Sequence, residues 1–137
     1  MGARGRKSAA SLAVASRPVE VVQRPDAPYD LTDEQSEEWW AVVNRMPADW
    51  FPRETHGMLA QYCRHVVAAR RVAQLIADRE AQVGALDVEE YDRLLKMQER
   101  EGRAISSLAT RMRISQQATV RAEQARKPSQ VRKPWEA

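Results

Sequence analysis

Residues 86–114 read LDVEEYDRLLKMQEREGRAISSLATRMRI and predict a long amphipathic helix. Apolar side chains recur along it every three to four residues, which is the spacing of one helical face. The residues that we assign to the core or to contacts between copies are Tyr91, Leu94, Leu95, Ile105, Leu108 and Met112. The face is weakest in its middle, at Gln98 and Glu101. A single helix cannot bury such a face, so the stretch predicts a partner helix.

The start of this helix carries three local signals. Asp87 is a favourable N-cap residue, and Glu90 three positions later completes a capping-box pattern. Leu86 is placed to pack against Tyr91 as a hydrophobic staple. Gly84 suits the end of a preceding helix, because glycine adopts the left-handed conformation found there.

A second helical pattern begins at Pro52 and continues to about Ala81. Its predicted inward face consists of Leu59, Cys63, Val66, Ala69/Arg70, Ala73 and Ile76. Two long helices joined by a short connection predict an antiparallel helical hairpin. A hairpin with an alanine-rich contact face buries little apolar surface, which favours association with further copies of the chain.

A shorter helix is predicted upstream, between a Thr32/Gln35 capping box and Pro47. The aromatic residues in and just after it are Trp39, Trp40, Trp50 and Phe51. We interpret them as the aromatic core of the domain, with a base-stacking platform as the alternative. The predicted fold class is therefore all-α: a short helix, a long antiparallel hairpin, a basic C-terminal helix and flexible termini.

The length of 137 residues fits one domain, and the charge is unevenly distributed along it. The formal net charge is +3 overall, but residues 1–28 carry +3, residues 29–110 carry −5 and residues 111–137 carry +5. The single cysteine, Cys63, excludes an internal disulfide and fits a reducing compartment.

Three regions follow from this composition. Residues 1–28 are predicted to be a disordered basic arm and linker, residues 29–114 a helical oligomerisation core, and residues 115–137 a basic C-terminal helix and tail. We reject a signal peptide near the N-terminus, because the apolar run 9–15 is short and weakly hydrophobic. No stretch is long enough to span a membrane.

Basic segments around an acidic body are typical of a protein that binds a polyanion, although such segments can also serve only solubility. The residues that we predict to contact such a polyanion are Arg4, Arg6, Lys7, Arg64, Arg70, Arg71, Arg126, Lys127, Arg132 and Lys133. Trp135 lies in the short C-terminal tail beside Pro134, and we predict that it binds a partner protein.

The sequence contains no recognisable catalytic or cofactor site. None of its five glycines forms a phosphate-binding loop of the Walker type. His56 and Cys63 are spaced to share one helical face, but a structural zinc site needs four ligands and no others are suitably placed. We interpret Cys63 as a small buried side chain rather than a nucleophile. The sequence therefore predicts no enzyme, metal or cofactor.

Two runs, LAQYCRHVVAARR (59–71) and YDRLLKMQEREGRAISSLATRMRISQQ (91–117), resemble the small terminase subunit of tailed bacteriophages, of the P27-like class. The acidic tryptophan helix before them, the turn DWFP (49–52) and the terminal KPWE (133–136) fit the same pattern. The resemblance covers roughly residues 29–136, and the second run is its most specific part.

The resemblance implies a non-catalytic DNA-packaging subunit acting in the host cytoplasm. Such subunits form homo-oligomeric rings, commonly of about eight to eleven copies. They recognise viral DNA and recruit and regulate the large terminase subunit, which supplies the ATPase and nuclease. The usual N-terminal helix-turn-helix is not visible in residues 1–28. The alternatives are a helical scaffold protein that does not bind DNA and a small metal-dependent nuclease.

Overall fold

The computed structural model describes residues 21–82 and 84–116. It contains helix α1 (Asp33–Arg45), a short 3-10 turn (Arg53–Thr55), helix α2 (His56–Ala81) and helix α3 (Val88–Arg111). The described part contains no strand, which confirms the predicted all-α class. None of its helices is long and apolar enough to cross a membrane.

Helix α1 begins and ends where its local sequence predicts. The Thr32 hydroxyl accepts a hydrogen bond from the Gln35 backbone, and the Gln35 side chain accepts one from the Thr32 backbone at 3.0 Å. These two bonds satisfy amides that the first turn leaves without helical partners. The helix stops at Arg45, with Met46 as its C-cap, directly before Pro47.

Helix α2 is the central element, because α1 packs against its first half and α3 packs along it. Its buried residues are Leu59, Ala60, Cys63, Val67, Val72 and Ile76. The predicted inward face was therefore partly wrong: Val67 and Val72 are buried where we had placed Val66 and Ala73. Because α2 has neighbours on two sides, its buried positions do not follow the single stripe that we assumed.

The connection from α2 to α3 is a tight turn. Gly84 has a φ of +86°, a left-handed conformation that glycine adopts without steric cost. Asp87 caps α3 by accepting a hydrogen bond from the Glu89 amide at 3.0 Å. Glu90 pairs with Arg79 of α2 at 2.6 Å, so its predicted capping-box role was wrong. Leu86, predicted to pack against Tyr91, is 44% exposed.

Helix α3 ends in a Schellman motif that the sequence did not reveal. Arg113 has a φ of +56°, the left-handed position usually occupied by glycine. The Ile114 amide bonds to the Ala109 carbonyl at 3.0 Å, and the Arg113 amide bonds to the Thr110 carbonyl at 3.1 Å. Ile114 then packs against the core, which is the apolar contact that accompanies this motif.

Side-chain contacts between α2 and α3 join late residues of α2 to early residues of α3, and earlier residues of α2 to later residues of α3. Tyr91 donates a hydrogen bond to Glu80 at 2.6 Å near the turn, and His65 contacts Glu101 further along. The ordering of these contacts means that the helices are antiparallel. The start of α2 and the end of α3 consequently lie at the same end of the molecule.

All buried residues of the described chain except Val67 fall into two separate clusters. The larger one, which we call the basal core, consists of Leu31, Trp39, Val43, Met46, Phe51, Leu59, Ala60, Cys63 and Met112. The smaller one, the tip cluster, consists of Val72, Ile76 and Leu94, with the half-buried Tyr91 packed against them. Helix α1 contributes only to the basal core, so α2 and α3 extend beyond it as a two-helix projection.

A polar contact separates the two clusters. The protonated Nδ1 of His65 donates to the Glu101 carboxylate at 2.5 Å, and both side chains are largely shielded from solvent. Glu101 lies in the middle of the α3 face, where the sequence showed the apolar pattern to be weakest. We call this pair the polar layer.

The segment before α1 is extended and docked, which corrects the predicted disorder for its residues from 21 onwards. The Arg24 guanidinium donates to the Val43 carbonyl at 3.2 Å and to the Met46 carbonyl at 3.1 Å. Trp39 Nε1 donates to the Pro25 carbonyl at 3.1 Å. A cation at a helix C-terminus bonds the last carbonyls and complements the helix dipole. Residues 1–20 lie outside the described residues.

The six residues predicted for the core or for contacts between copies differ in their burial. Leu94 and Met112 are buried, and Tyr91, Ile105 and Leu108 are half-buried. Leu95 is 39% exposed and lies outside the chain's own buried core, and its role in contacts between copies stays a prediction.

The predicted aromatic core also needs one correction. Trp39 and Phe51 are buried in the basal core, and Trp50 packs against it with Nε1 donating to the Met112 carbonyl at 3.0 Å. Trp40 is 37% exposed, because it follows Trp39 on the helix and points away from α2.

Candidate nucleic-acid interface

The three helical arginines predicted to bind DNA are all paired with carboxylates near or on α1. Arg64 contacts Asp30 at 2.7 Å, and Arg71 contacts Glu34 at 3.9 Å. Arg70 pairs with Glu38. These arginines hold α1 and the residue before it against α2, so their charge is largely compensated within the chain. Surface pairs of this kind contribute about 0–1 kcal/mol each to stability.

The other predicted DNA contacts lie outside the described residues. They are Arg4, Arg6 and Lys7 in the N-terminal arm and Arg126, Lys127, Arg132 and Lys133 in the C-terminal region. Trp135, predicted to bind a partner protein, also lies outside them. Of the predicted C-terminal helix and tail, the structure describes only Ser115 and Gln116.

Arginines without an acidic partner concentrate at one end of the molecule. We call this the basal end: the C-terminus of α1, the connection 46–55, the first turn of α2 and the last turn of α3. Within the described ranges, Arg45, Arg53, Arg111 and Arg113 are exposed and make no ion pair with another described residue. The acidic residues of this end are Asp49 and Glu54. The basal end therefore carries excess positive charge.

The opposite end is acidic. The last turn of α2, the connection and the first turn of α3, residues 78–90, contain five acidic residues and a single basic one. Three cations further along α3 are paired with carboxylates of the same helix, namely Arg93, Lys96 and Arg103, whereas Arg100 makes no ion pair with another described residue. The helical body thus has opposite charges at its two ends.

The first and the last segments of the described chain both contact the basal end. Arg24, near the start of the described residues, is bonded to the last carbonyls of α1. Ile114, near their end, packs on the basal core after the last turn of α3. The preceding residues 1–20 carry four basic and one acidic side chain, and the following residues 117–137 carry five basic and two acidic ones. Two basic segments are therefore joined to the body where its own positive charge is greatest.

A cleft of about 300 Å³ opens at the basal end between the DWFP turn and the last turn of α3. The residues that line it are Asp49, Trp50, Phe51, Thr55, Arg111, Met112 and Arg113. The hydrogen bond from Trp50 Nε1 to the Met112 carbonyl fixes the two walls relative to each other. Thr55 donates its hydroxyl proton to the Pro52 carbonyl at 2.8 Å, which orders the turn.

Sequence reasoning assigned no site role to Arg111 and Arg113. A signal for them was present: no acidic residue occurs between Glu101 and Glu123, so neither arginine has a carboxylate within one helical turn. The cleft itself could not be predicted, because its two walls are about sixty residues apart in the chain.

The histidines and the cysteine have structural surroundings. His56 Nε2 donates to the Phe51 carbonyl at 3.0 Å, and its ring packs edge-on against Trp39 with centroids 5.8 Å apart. Cys63 is buried in the basal core, where loss of solvation and the nearby Glu38 carboxylate raise the pKa of its thiol to about 12. No group of three or more His, Cys, Asp or Glu side chains in the described ranges is arranged to hold a metal ion.

Comparison of the chain with protein-family models, with curated proteins and with solved structures yields no match.

Proposed function

We propose that this chain is a non-catalytic subunit that binds double-stranded DNA in bacteriophage genome packaging, as a small terminase subunit does. The observation that carries the proposal is the concentration of charge at the basal end. Arg45, Arg53, Arg111 and Arg113 lack acidic partners among the described residues, and both basic chain segments join the body there. Lys and Arg side chains clustered on one surface neutralise phosphates and release counterions, which drives DNA binding.

The packaging role rests on the sequence resemblance of residues 59–71 and 91–117. In this role the subunit would assemble in the host cytoplasm as a homo-oligomeric ring, of about eight to eleven copies, and recruit the large subunit. Exposed apolar residues on the two-helix projection support self-association. They are Leu75, Leu86, Val88, Leu95 and Met97. The tip cluster has three buried residues among those described, so the projection gains stability if another copy covers this surface.

The test of DNA binding is a salt titration with the full chain and a labelled duplex. The logarithm of the binding constant should fall linearly with the logarithm of salt concentration, with a slope of about −0.9 per phosphate contact. Neutralising Arg4, Arg6 and Lys7 should weaken binding for all sequences and reduce the slope, and so should neutralising the four C-terminal basic residues. Absence of binding at low salt would overturn the proposal.

The second candidate function is a helical scaffold protein that does not bind DNA. The exposed apolar surface of the projection favours it, because self-association needs no polyanion. Native mass measurement and the salt titration together separate the two: a scaffold gives an assembly without salt-dependent DNA binding. A monomer at micromolar concentration would remove the ring from either proposal.

Contact with the large subunit would require a surface outside the DNA interface, and we place it at Trp135. A tail tryptophan beside proline offers a large apolar surface at a small ordering cost. Trp135→Ala should reduce stimulation of the large subunit's ATPase while leaving assembly and DNA affinity unchanged. The Arg132→Gln/Lys133→Gln variant is its control, since it should alter DNA affinity instead.

A further inference from the structure

We propose that the cleft between the DWFP turn and the last turn of α3 binds a phosphodiester group of nucleic acid, with Arg111 and Arg113 as its ligands. The inference rests on the proposed DNA binding and adds to it a defined site on the helical body. Its starting point is the juxtaposition of two arginines in one cleft without an ion pair to any described carboxylate.

The charge in the cleft favours an anion. Arg111 and Arg113 both line it, whereas Asp49 is its single acidic residue. Asp49 makes no ion pair within 4.0 Å with either arginine, although it shares the cleft with both. Guanidinium groups present several N–H donors in a planar arrangement that matches phosphate oxygens. Two such groups in one cleft therefore suit a phosphodiester.

The walls of the cleft are held in place before any ligand arrives. Phe51 is 6% exposed and belongs to the basal core, and Trp50 is tied to the Met112 carbonyl at 3.0 Å. The Schellman motif fixes the backbone that carries Arg113. A preformed site loses less conformational freedom on binding than a flexible one. The cleft volume of about 300 Å³ exceeds that of one phosphate group and leaves room for an adjoining sugar.

A second surface cleft on α3 shows the contrast. Lys96, Glu99, Arg100 and Arg103 line it, with a volume of about 220 Å³. Two of its three cations are neutralised on the same helix, Lys96 by Asp92 and Arg103 by Glu99. We therefore expect no phosphodiester to bind there, and this part of α3 supplies a control for nonspecific charge effects.

The experiment measures fluorescence anisotropy of a labelled 30-base-pair duplex with the full chain at several salt concentrations. Arg111→Gln/Arg113→Gln is compared with Arg93→Gln/Arg100→Gln, which removes the same charge from exposed positions of the same helix. The cleft variant should bind on the order of tenfold more weakly and lose up to about two units of salt slope. The control variant should change affinity less than about twofold. Circular dichroism melting of each variant verifies that the fold is retained.

A third variant tests the sign of the electrostatic effect. Asp49→Asn removes the carboxylate from the cleft and should tighten duplex binding about two- to threefold, because like-charge repulsion of the phosphate is lost. Unchanged or weaker binding by this variant would overturn the site.

The remaining outcomes are also decisive. Equal weakening by the cleft and control double variants, or wild-type affinity of the cleft variant, would overturn the site while leaving DNA binding intact. A wild-type chain that fails to bind duplex DNA at low salt would overturn the proposed function as well. Polyglutamate serves as the probe for a carboxylate ligand. If it displaces the duplex from wild type but not from the cleft variant at matched charge concentration, the site recognises an acidic peptide and the phosphodiester assignment is wrong.

Discussion

The basal half and the tip of this molecule are built from the same two long helices but have different stabilising interactions. At the basal end, α1 and the docked segment before it cover α2, and nine buried residues form a continuous core around Trp39. The tip cluster contains three buried residues among those described, and Leu75 and Leu95 of the same two helices remain exposed. The comparison indicates that a helical pair becomes a stable body only where a third element covers it.

The largest expected effect comes from removing the central side chain of the basal core. Trp39 is fully buried, donates to the Pro25 carbonyl and packs against His56. Trp39→Ala should therefore lower the free energy of unfolding by about 3–5 kcal/mol. Ile76→Ala in the tip cluster should cost about 2 kcal/mol, because its surroundings can collapse towards solvent. Urea unfolding followed by circular dichroism measures both, and equal losses would contradict the difference between the halves.

A pH titration examines the basal core without altering its volume. Above about pH 9 the Cys63 thiol ionises in the unfolded chain but stays protonated in the folded one, where burial raises its pKa to about 12. The unfolded state then binds fewer protons, so stability should fall as pH rises, by roughly 1 kcal/mol near pH 10. Burial and Glu38 also raise the pKa of Tyr62, which adds a loss of the same sign at higher pH. Cys63→Ala should flatten the decline between pH 9 and 10; an unchanged decline would show that another group causes it.

The polar layer between the halves provides the next test. Glu101→Ala leaves the shielded His65 without its carboxylate partner and should cost about 1 kcal/mol. Replacing both residues by leucine should restore or exceed wild-type stability, because a polar pair shielded from solvent is often no better than apolar packing. A double-mutant cycle measures the coupling. If the double-leucine variant is much less stable than wild type, the His65–Glu101 contact stabilises the pairing of α2 and α3 more than apolar packing would.

The smallest effect should be a gain at the end of α3. Arg113 occupies a left-handed conformation that costs a side-chain-bearing residue energy, whereas glycine adopts it freely. Arg113→Gly should therefore raise the free energy of unfolding by about 0.5–1 kcal/mol. Gly84→Ala, at the left-handed residue in the turn after α2, should change it in the opposite direction. A loss of stability in Arg113→Gly would mean that the arginine side chain makes a stabilising contact larger than the backbone cost.

The sequence predicted the features that depend on neighbouring residues. The caps at Thr32 and Asp87 and the left-handed turn at Gly84 follow from local hydrogen bonding and backbone freedom. Arg113 at the end of α3 escaped prediction, since arginine is not the residue that signals a left-handed cap.

Features that depend on distant parts of the chain were not predictable in the same way. The weak middle of the α3 face was visible at Glu101, but its partner His65 is 36 residues away. Likewise, the composition could not show that Arg64 and Arg70 are paired with Asp30 and Glu38, more than thirty residues earlier. We therefore assign the candidate site to Arg111 and Arg113 instead of these arginines. The absence of acidic residues near Arg111 and Arg113 is visible in the local sequence.

The hydrogen bond between Trp50 and the Met112 carbonyl also has a consequence for the order in which the chain folds. It joins residues 62 positions apart, whereas the Tyr91–Glu80 bond near the turn joins residues 11 apart. Closing a short loop costs less entropy, so the α2–α3 turn should form early. Its few buried residues cannot stabilise it alone, and the basal core that can do so closes late. We therefore expect a single cooperative folding transition without a stable intermediate, because the part that forms first depends on the part that forms last.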